Sequence, residues 1–343
     1  MKRALIYSAA FLAVLSAVLC AYGWYRDNRL SNINGAVSFY VYPQTTPEDV
    51  LEELTDRGAV KNPGRLRKVF SKKKVAEYIK PGYYYLNGNS SVYVARMLNN
   101  GWQSPVNLTI SGTVRRKSDV ARKIGNQVLA DSAAVIAVLN DKAFMDSLGF
   151  TSGNWFALFI PDTYQVYWTS SPRDIMFRMK QAYDAFWTEE NLSKAGKLGL
   201  DRMQVATLAS IVCAETNHVP EMPSIAGVYL NRLEKGMLLQ ADPTVAFCFD
   251  YKPQRILLKH LEVDSPYNTY KYAGLPPGPI CVASRESLEA VLNPDCAGGN
   301  LYFCANPDFS GTHVFSRTLS EHNANARAFQ AELSRRHRLA KHH

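Results

Sequence analysis

The first part of the chain contains an uncharged stretch that is long enough to cross a lipid bilayer. No charged residue occurs over the 22 residues from Ala4 to Tyr25, and a helix of this length covers the roughly 30 Å hydrocarbon core of a membrane. Lys2 and Arg3 precede the stretch, and basic residues of this kind favour the cytoplasmic side. We therefore expect, in order, a cytoplasmic stub at 1–3, one transmembrane helix at 4–25, a linker at 26–35, and the remaining chain outside the cytoplasmic (inner) membrane, in the periplasm or its equivalent.

A cleaved signal peptide is the competing interpretation of the same stretch. Its hydrophobic run is normally shorter and ends at an Ala-x-Ala-like site, and no such site occurs before Tyr22. Cys20 follows Leu19, which is too bulky for a lipoprotein cleavage box. A retained single-pass anchor is therefore the favoured interpretation.

Beyond the anchor, the composition is that of an ordinary globular protein. Hydrophobic residues make up 47% of the 343 residues and charged residues 20%, which allows two domains and argues against a disordered chain. The net charge of +9 indicates an anionic partner, such as an acidic cell-wall polymer or lipid headgroups, or only the solvated faces of surface helices. The expected topology excludes nucleic acid as a partner.

Five cysteines lie beyond the predicted span without Cys-x-x-Cys spacing, so a zinc site is not expected. Cys296 and Cys304 are near enough in sequence to bridge a loop in an oxidising compartment, but the sequence does not decide whether they do. Cys213 lies in an apolar helix with no basic residue placed to activate its thiol. We interpret it as a small buried hydrophobic residue.

Residues 36–105 have the pattern of a small mixed subdomain. Strands are predicted at Ala36–Tyr42 and Tyr83–Leu86, and two helices are predicted between them at 46–57 and 63–78. This β-α-α-β order is the shape of a small polysaccharide-binding module. The three tyrosines of the second strand are placed either to stack on sugars or to pack within the sheet.

The remainder, 106–343, is predicted to be an α+β domain, and its most informative residue is Glu215. Apolar residues recur at helical spacing after the expected N-cap Asp201, namely Val205, Leu208, Ile211 and Val212. Glu215 falls on the same apolar face, where poor solvation raises the pKa of a carboxyl group from about 4.3 toward about 6. A proton is then available near neutral pH. The alternative is that Glu215 points into water or pairs with Arg232.

The residues that follow Glu215 suit a carbohydrate site. A second helix is predicted at about 220–235, ended by Gly236. Polar groups and a rigid GLPPGPI loop at 274–280 come next along the chain, with Gln240, Asp242, Asn268 and Tyr270 among them. Amides and hydroxyls bind sugar hydroxyls, and aromatic faces pack against pyranose rings, so this composition indicates a saccharide cleft.

Several of these segments resemble one known family. They are IVCAET at 211–216, VYLNRLEKGMLLQADPTV at 228–245, SPYNTYKYAGLPPGPI at 265–280 and GTHVFSRTLSEHN at 311–323. In this order they resemble the YceG-like endolytic murein transglycosylases over about 204–323, and IPDTY at 160–164 matches too. The resemblance implies an α+β fold with an N-terminal transmembrane helix, a LysM-like subdomain at 36–105 and a catalytic domain at 106–343.

Carried over by motif, the resemblance implies Glu215 as the catalytic acid. The implied substrate-binding residues are Thr216, Asn231, Gln240, Asp242, Tyr267, Asn268, Tyr270, Pro277 and His313. The family has Glu-x-Glu-Thr where this chain has Cys213-Ala214-Glu215-Thr216, so only the second acid is present here. The acid usual before IPDTY is Phe156 or Ala157 in this chain.

The resemblance also implies a reaction that one carboxyl group can carry. Ordinary glycosidases use two carboxyl groups, whereas a lytic transglycosylase lets the muramic acid 6-hydroxyl attack the anomeric carbon. Glu215 would act as acid and then as base, cleaving the MurNAc-β-1,4-GlcNAc bond of nascent strands and leaving 1,6-anhydroMurNAc ends. The implied lyase uses no cofactor, acts on peptidoglycan strands, terminates their elongation and works beside peptidoglycan synthases.

Three alternatives remain. A lysozyme-type hydrolase would use Asp242 as its second carboxylate, although Asp-Pro-Thr-Val also fits an N-cap followed by proline. A non-catalytic wall-binding scaffold protein would have the same fold but would not cleave the glycan strands. Glu215 and His218 form a Glu-x-x-His pair, but a dinuclear metal bundle needs a second such pair, and the chain has none.

Overall fold

The computed structural model describes residues 2–340, and it begins with the long helix α1 at Lys2–Asn28. The segment Ile6–Asn28 is long and apolar enough to cross a membrane, which fits the predicted single-pass anchor. The helix ends at Asn28 instead of Tyr25, so the start of the predicted linker at 26–35 is helical. Asn28 stabilises this last turn because its side-chain amide donates to the carbonyl of Trp24 at 2.9 Å. Met1 of the predicted cytoplasmic stub lies outside the described residues.

The chain divides into two compact units. The first runs through Leu108 and also takes in 127–129 and 165–170, and the second contains 109–126, 130–164 and the chain from Ser171 onward. The boundary predicted between 105 and 106 therefore lies three residues before Leu108, where the chain first passes from the first unit to the second. The sequence does not indicate that 127–129 and 165–170 belong to the first unit.

The first unit contains the predicted β-α-α-β order. Its elements after α1 are β1 at Ala36–Val41, α2 at Pro47–Asp56, α3 at Pro63–Lys72, α4 at Val75–Tyr78, β2 at Gly82–Asn87 and α5 at Ser91–Asn100. Strands β1 and β2 pair antiparallel, with Phe39 opposite Tyr84. The helix predicted at 63–78 is broken, because Lys74 adopts a left-handed φ of 54°.

Of the three tyrosines in β2, the middle one belongs to the core. Tyr84 is fully buried, and its hydroxyl donates to the carbonyl of Lys80 at 2.8 Å. Because side chains alternate along a strand, Tyr83 and Tyr85 lie on the opposite face of the sheet, where Tyr83 packs against Tyr40 with ring centroids 4.9 Å apart.

The rest of the described chain is mostly helical, and residues 2–340 contain three pairs of short strands. The helices are α6 at Lys117–Gly125, α7 at Ser132–Asn140, α8 at Lys142–Ser147, α9 at Pro172–Phe186, α10 at Glu189–Lys197, α11 at Arg202–Glu215, α12 at Met222–Glu234, α13 at Asp242–Cys248, α14 at Arg285–Leu292 and α15 at Leu319–Ala340. The strands are β3 at Pro105–Ile110, β4 at Asp162–Tyr167, β5 at Tyr302–Ala305 and β6 at His313–Ser316. The mixed α+β class predicted from the sequence is confirmed.

Two helical stretches of the second unit are each divided by a capping residue. Helices α7 and α8 are separated at Asp141, whose carboxylate accepts from the backbone N–H of Phe144 and so caps α8. Helix α9 ends at Phe186, and Thr188 caps the start of α10. Side-chain caps of this kind satisfy N–H groups that a continuous helix would pair internally.

Helix α11 is the central helix of the second unit. Every residue from Val205 to Val212 is buried, so the helix is enclosed on all sides, where the sequence pattern predicted one apolar face. It packs against α12 and α14. Its N-terminus is capped as predicted, with Asp201 accepting from the N–H of Gln204 at 2.8 Å. This packing fixes the position of its last residue, Glu215.

Candidate active site

Glu215 ends α11 and is held by one strong hydrogen bond. Its Oε1 accepts from the hydroxyl of Tyr229 at 2.7 Å. Burial raises the pKa of Glu215 to about 7, the negative charge of Asp242 adds to this rise, and the hydrogen bond from Tyr229 opposes it. The carboxyl group is therefore about half protonated at neutral pH, as a general acid requires.

Tyr229 lies on α12 and is 2% exposed. Burial and the neighbouring Glu215 raise its pKa well above the ordinary value of 10, so its hydroxyl keeps its proton and remains a donor. The ring packs edge-on against Phe303, with centroids 5.9 Å apart. Tyr229 thus holds one carboxylate oxygen of Glu215 in a fixed direction.

The alternative pairing of Glu215 with Arg232 is wrong. The buried guanidinium of Arg232 donates to the backbone carbonyls of Leu301 at 2.6 Å and Leu239 at 2.9 Å. It ties the chain before β5 to the loop after α12. Among the described residues, none forms a salt bridge with the carboxyl group of Glu215, which agrees with its raised pKa.

Glu215 lies between two cavities and lines both. The first, of about 580 Å³, lies toward β3, β4 and the start of α14, and we call it the thiol-side cavity because Cys213 and Cys281 line it. The second, of about 340 Å³, contains Asp242 and Tyr270, and we call it the aspartate-side cavity. A long substrate could extend on both sides of the acid.

Three of the predicted substrate-binding residues line the aspartate-side cavity with Glu215, namely Gln240, Asp242 and Tyr270. The hydroxyl of Tyr270 donates to Oδ1 of the exposed Asp242 at 2.7 Å. Gln240 adopts a left-handed φ of 52°, and its exposed side chain accepts weakly from Arg232 at 3.4 Å. These three residues offer amide, carboxylate and hydroxyl groups to a ligand.

The N-cap interpretation of Asp242 is wrong by one position. Helix α13 begins at Asp242 itself, and Ala241 is its N-cap. The Thr244 hydroxyl donates back to the carbonyl of Ala241 at 2.8 Å. The carboxylate of Asp242 is therefore free of a capping role and faces the cavity.

Thr216 belongs to the lining of the thiol-side cavity. It is the C-cap of α11, and its hydroxyl accepts from the N–H of His218 at 2.9 Å. Most of its side chain is buried, so it fixes the turn that follows Glu215. Its position beside the acid agrees with the prediction, while its hydrogen bond is structural.

Asn231 and Pro277 line a different depression, together with Gly274 and Leu275 and away from Glu215. Asn231 is buried, and its amide donates to the carbonyl of Asn300 at 3.0 Å. The structure does not bring these two residues to the acid.

Tyr267, Asn268 and His313 shape the surrounding loops. Asn268 is fully buried and donates to the carbonyls of Leu261 and Val263, both at 2.8 Å. Tyr267 packs on the ring of Phe247 with centroids 4.6 Å apart. None of the three belongs to the described lining of the two cavities that Glu215 shares.

His313 starts β6 and is tied to Glu221. Its ring nitrogen Nδ1 lies 3.1 Å from Glu221 Oε2, and its backbone N–H donates to Glu221 Oε1 at 2.7 Å. Through these two contacts, Glu221 anchors the start of β6 to the turn before α12.

Sequence reasoning missed part of the lining. The sequence did not assign Tyr229 to the site, and the aspartate-side cavity also contains Tyr302, Phe303, Leu319 and His322. One signal existed for Tyr229. It follows Ile225 by four positions and Met222 by seven on the buried face of α12, and a buried tyrosine needs a partner for its hydroxyl.

Comparison with known proteins identifies the family. The profile of the YceG-like family matches residues 39–328. This chain belongs to the YceG-like family. The family predicted from the motifs is confirmed.

Two relatives carry the same protein name. The endolytic murein transglycosylase of Bacillus subtilis (strain 168) is 31% identical to this YceG-like chain over 279 residues, which cover 74% of each. The endolytic murein transglycosylase of Streptococcus pneumoniae (strain D39) is 26% identical over 365 residues, covering 94% of this chain and 64% of that protein. The chain thus spans less than two thirds of the pneumococcal relative.

A solved structure has the same fold. The crystal structure of a YceG-like protein from Listeria monocytogenes aligns with a TM-score of 0.56 at 28% identity, covering 84% of this chain and 98% of that one. The alignment extends well beyond the segments that carry the sequence motifs.

Proposed function

We propose that this YceG-like protein is a membrane-anchored, endolytic peptidoglycan transglycosylase. It cleaves the MurNAc-β-1,4-GlcNAc bond within glycan strands without water and leaves 1,6-anhydroMurNAc ends. The names of the Bacillus and Streptococcus relatives support the substrate and the reaction class. The observation that carries the proposal is a single, desolvated acid, Glu215, shared by two cavities.

The raised pKa suits both proton transfers in this reaction. Protonated Glu215 donates its proton to the glycosidic oxygen as the C1–O bond breaks. The muramic acid 6-hydroxyl then forms the new bond to C1, and the Glu215 carboxylate takes the proton from that hydroxyl. The acid returns to its starting state, so the cycle consumes no water and needs no cofactor.

Tyr229 directs these transfers to one oxygen of Glu215. Oε1 is occupied by the tyrosine hydroxyl at 2.7 Å, which leaves Oε2 to exchange protons with substrate. The substrate-binding role stays with the groups that line the shared cavities, namely Thr216, Gln240, Asp242 and Tyr270. The remaining predicted contacts, Asn231, Tyr267, Asn268, Pro277 and His313, support the loops around them.

We infer that the reaction takes place at the outer face of the cytoplasmic membrane. An apolar segment of 23 residues ends helix α1, and only residues 29–35 separate the end of this helix from β1. A tether this short confines the protein to strands near the membrane. We infer that the enzyme ends the elongation of nascent strands beside peptidoglycan synthases, with the LysM-like subdomain at 36–105 in contact with glycan.

A muramidase that hydrolyses the same bond is the second candidate. It is favoured by one observation, the exposed carboxylate of Asp242 in the cavity that Glu215 also lines. Such an enzyme would use Asp242 as nucleophile or base and would leave reducing ends. A non-catalytic scaffold would leave the strands intact.

Product analysis separates these functions. Purified full-length protein in detergent is incubated with peptidoglycan strands, and the fragments are identified by mass spectrometry. We expect anhydro-ended fragments from the wild type and from Glu234→Gln, a control at an exposed carboxylate on α12, and none from Glu215→Gln. Reducing ends alone would favour the hydrolase, and unchanged strands from wild-type protein would overturn the enzyme assignment.

A further inference from the structure

Two cysteines line the thiol-side cavity, beside the candidate catalytic acid. Cys213 lies two positions before Glu215 on α11 and is partly exposed. Cys281 follows the GLPPGPI loop and is 4% exposed. The Cys281 thiol donates to the carbonyl of Ser210 at 3.3 Å, three positions before Cys213 on α11, and the two thiols lie close enough that each shifts the pKa of the other.

We propose that Cys213 and Cys281 are a redox-active dithiol that a small disulfide converts into a disulfide bond in the wall of the cleft. Cys213 is the attacking thiol, because the cavity exposes it, and Cys281 is the resolving thiol behind it. The oxidant is a low-molecular-weight disulfide that enters the thiol-side cavity.

The surroundings of Cys213 stabilise a thiolate. Its sulfur lies near the first turn of α14, where the backbone N–H and hydroxyl of Ser284 and the hydroxyl of Ser287 favour the negative charge. Helix N-termini lower thiol pKa values in this way. The neighbouring Cys281 has the largest effect, and together with the serines it outweighs burial and lowers the pKa of Cys213 to about 6.

Cys281 has the opposite character. The neighbouring Cys213 and burial raise the pKa of Cys281 well above the usual range, so Cys281 keeps its proton at neutral pH. Arg115, which also lines the cavity, favours negative charge here. The sequence interpretation of Cys213 as a small buried hydrophobic residue did not take these groups into account, because they belong to a helix that is distant in sequence.

The oxidation balances with one equivalent of disulfide RSSR. The Cys213 thiolate attacks one sulfur, which forms a Cys213–SR mixed disulfide and releases RS⁻. Cys281 then loses its proton and attacks the Cys213 sulfur, which forms the Cys213–Cys281 bond and releases the second RS⁻. Two thiols are oxidised, the disulfide is reduced to two thiols, and the proton leaves with one of them.

No other pair of cysteines in the described chain has this arrangement. Cys296 and Cys304 are unbridged and partly exposed, and burial raises the pKa of both thiols. The Cys248 thiol donates to the carbonyl of Thr244 at 3.2 Å. The bridge left open by the sequence, between Cys296 and Cys304, is thus less favoured than one between Cys213 and Cys281.

The consequence for activity rests on the proposed function. An S–S bond of about 2.05 Å is shorter than a thiol–thiol contact, so its formation pulls the last turn of α11 toward Cys281. Glu215 lies in that turn, and a shift of about 1 Å at a catalytic group costs on the order of 100-fold in rate. We expect the oxidised protein to lose strand cleavage and the reductant dithiothreitol to restore it.

The test maps the bond directly. Full-length protein in detergent is treated with oxidised glutathione, the remaining thiols are blocked with N-ethylmaleimide, and peptides are analysed by mass spectrometry. We expect a Cys213–Cys281 disulfide, with Cys296 and Cys304 blocked by the maleimide. Cys281→Ala should stop at a glutathione adduct on Cys213, Cys213→Ser should give neither product, and the control Cys304→Ala should behave like the wild type.

The outcomes also separate this proposal from the proposed function. If Cys213 and Cys281 are both alkylated as readily as Cys296, or if Cys281→Ala carries no adduct on Cys213, the dithiol proposal is wrong. If the bond forms and cleavage continues unchanged, its regulatory effect is wrong. If reduced protein cleaves nothing while the bond still forms, the proposed function alone fails.

Discussion

The hydroxyl of Tyr229 donates a hydrogen bond of 2.7 Å to the carboxylate of Glu215 across the packed helices α11 and α12. They lie fourteen positions apart in sequence. The bond has two consequences. It stabilises the charged form of Glu215 and so limits the rise of its pKa, and it fixes one oxygen so that the other is free for substrate.

Tyr229→Phe tests this relationship. Loss of the hydroxyl removes a hydrogen bond to a carboxylate, worth about 1.5–3 kcal/mol, so kcat/KM should fall about 10- to 100-fold. The pKa of Glu215 should rise, because the bond that opposed its rise is gone. The alkaline limb of the pH profile of kcat/KM, near 7 in the wild type, should therefore move to higher pH.

Tyr267→Phe is the matched control. Its hydroxyl makes only a long contact of 3.4 Å with the carbonyl of Gly153, so rate and pH profile should stay close to those of the wild type. Tyr229→Phe with an unchanged pH profile would show that the hydrogen bond does not act on the ionising group.

Asp242→Asn distinguishes a neighbouring charge from a second catalytic group. The carboxylate of Asp242 raises the pKa of Glu215, so its neutralisation should move the alkaline limb to lower pH. The products should keep their anhydro ends, and the rate at the optimum should fall less than about 10-fold. A loss on the order of 10³-fold or more would instead identify Asp242 as a catalytic carboxylate.

Asp264→Asn is the control for this variant. Asp264 is also exposed and also accepts a hydrogen bond from a tyrosine hydroxyl, that of Tyr272 at 2.5 Å. It lies outside the described lining of the aspartate-side cavity. The variant should leave the position of the alkaline limb unchanged.

The environment of Glu215 could be predicted largely from the sequence. The N-cap Asp201 and the apolar spacing that follows it define α11, and a carboxyl group at the end of such a helix must be poorly solvated. The groups around Glu215 could not be predicted. Tyr229, which bonds to it, and the first turn of α14, which lines the same cavity, are brought there by tertiary packing, and no local pattern encodes this.

Asn231 shows why a motif does not specify a contact. It stands two positions after Tyr229 in the same segment, VYLNRL. Residues two apart on a helix point about 200° away from each other, so when Tyr229 faces Glu215, Asn231 must face elsewhere. Asn231 lines a separate depression with Pro277. Asn231 and Pro277 were predicted to belong to the site only because they are part of the family motifs.

Glu215→Gln should make the protein more stable at neutral and alkaline pH. The pKa of Glu215 is raised to about 7 in the folded protein from an ordinary 4.5. Between these values the unfolded chain has released the proton and the folded chain has not, so the stability contribution of the acid falls as pH rises. Glutamine resembles the protonated acid and avoids this loss, which amounts to about 1–3 kcal/mol above pH 7.

Denaturant titration of the full chain in detergent, at about pH 5 and about pH 8, measures the effect. The gain in free energy of unfolding should be small at the lower pH and appear at the higher one. Glu234→Gln, at an exposed carboxylate, should show no such pH-dependent gain. A Glu215→Gln variant that is equally stable or less stable at the higher pH would contradict a desolvated acid.

Gly227→Ala should loosen the packing that positions Tyr229. Gly227 lies on α12 two positions before Tyr229, and a Cβ there would come within 2.0 Å of the carbonyl oxygen of Asp295. Because backbone atoms of Asp295 occupy the space that the added methyl group needs, we expect the free energy of unfolding to fall by at least about 1–3 kcal/mol. Gly196→Ala is the control, since nothing lies within 4 Å of its added Cβ in α10. It should instead stabilise the protein by about 0.5–1 kcal/mol through helix propensity, and equal stabilities in denaturant titration would show that α12 and Asp295 do not pack this closely.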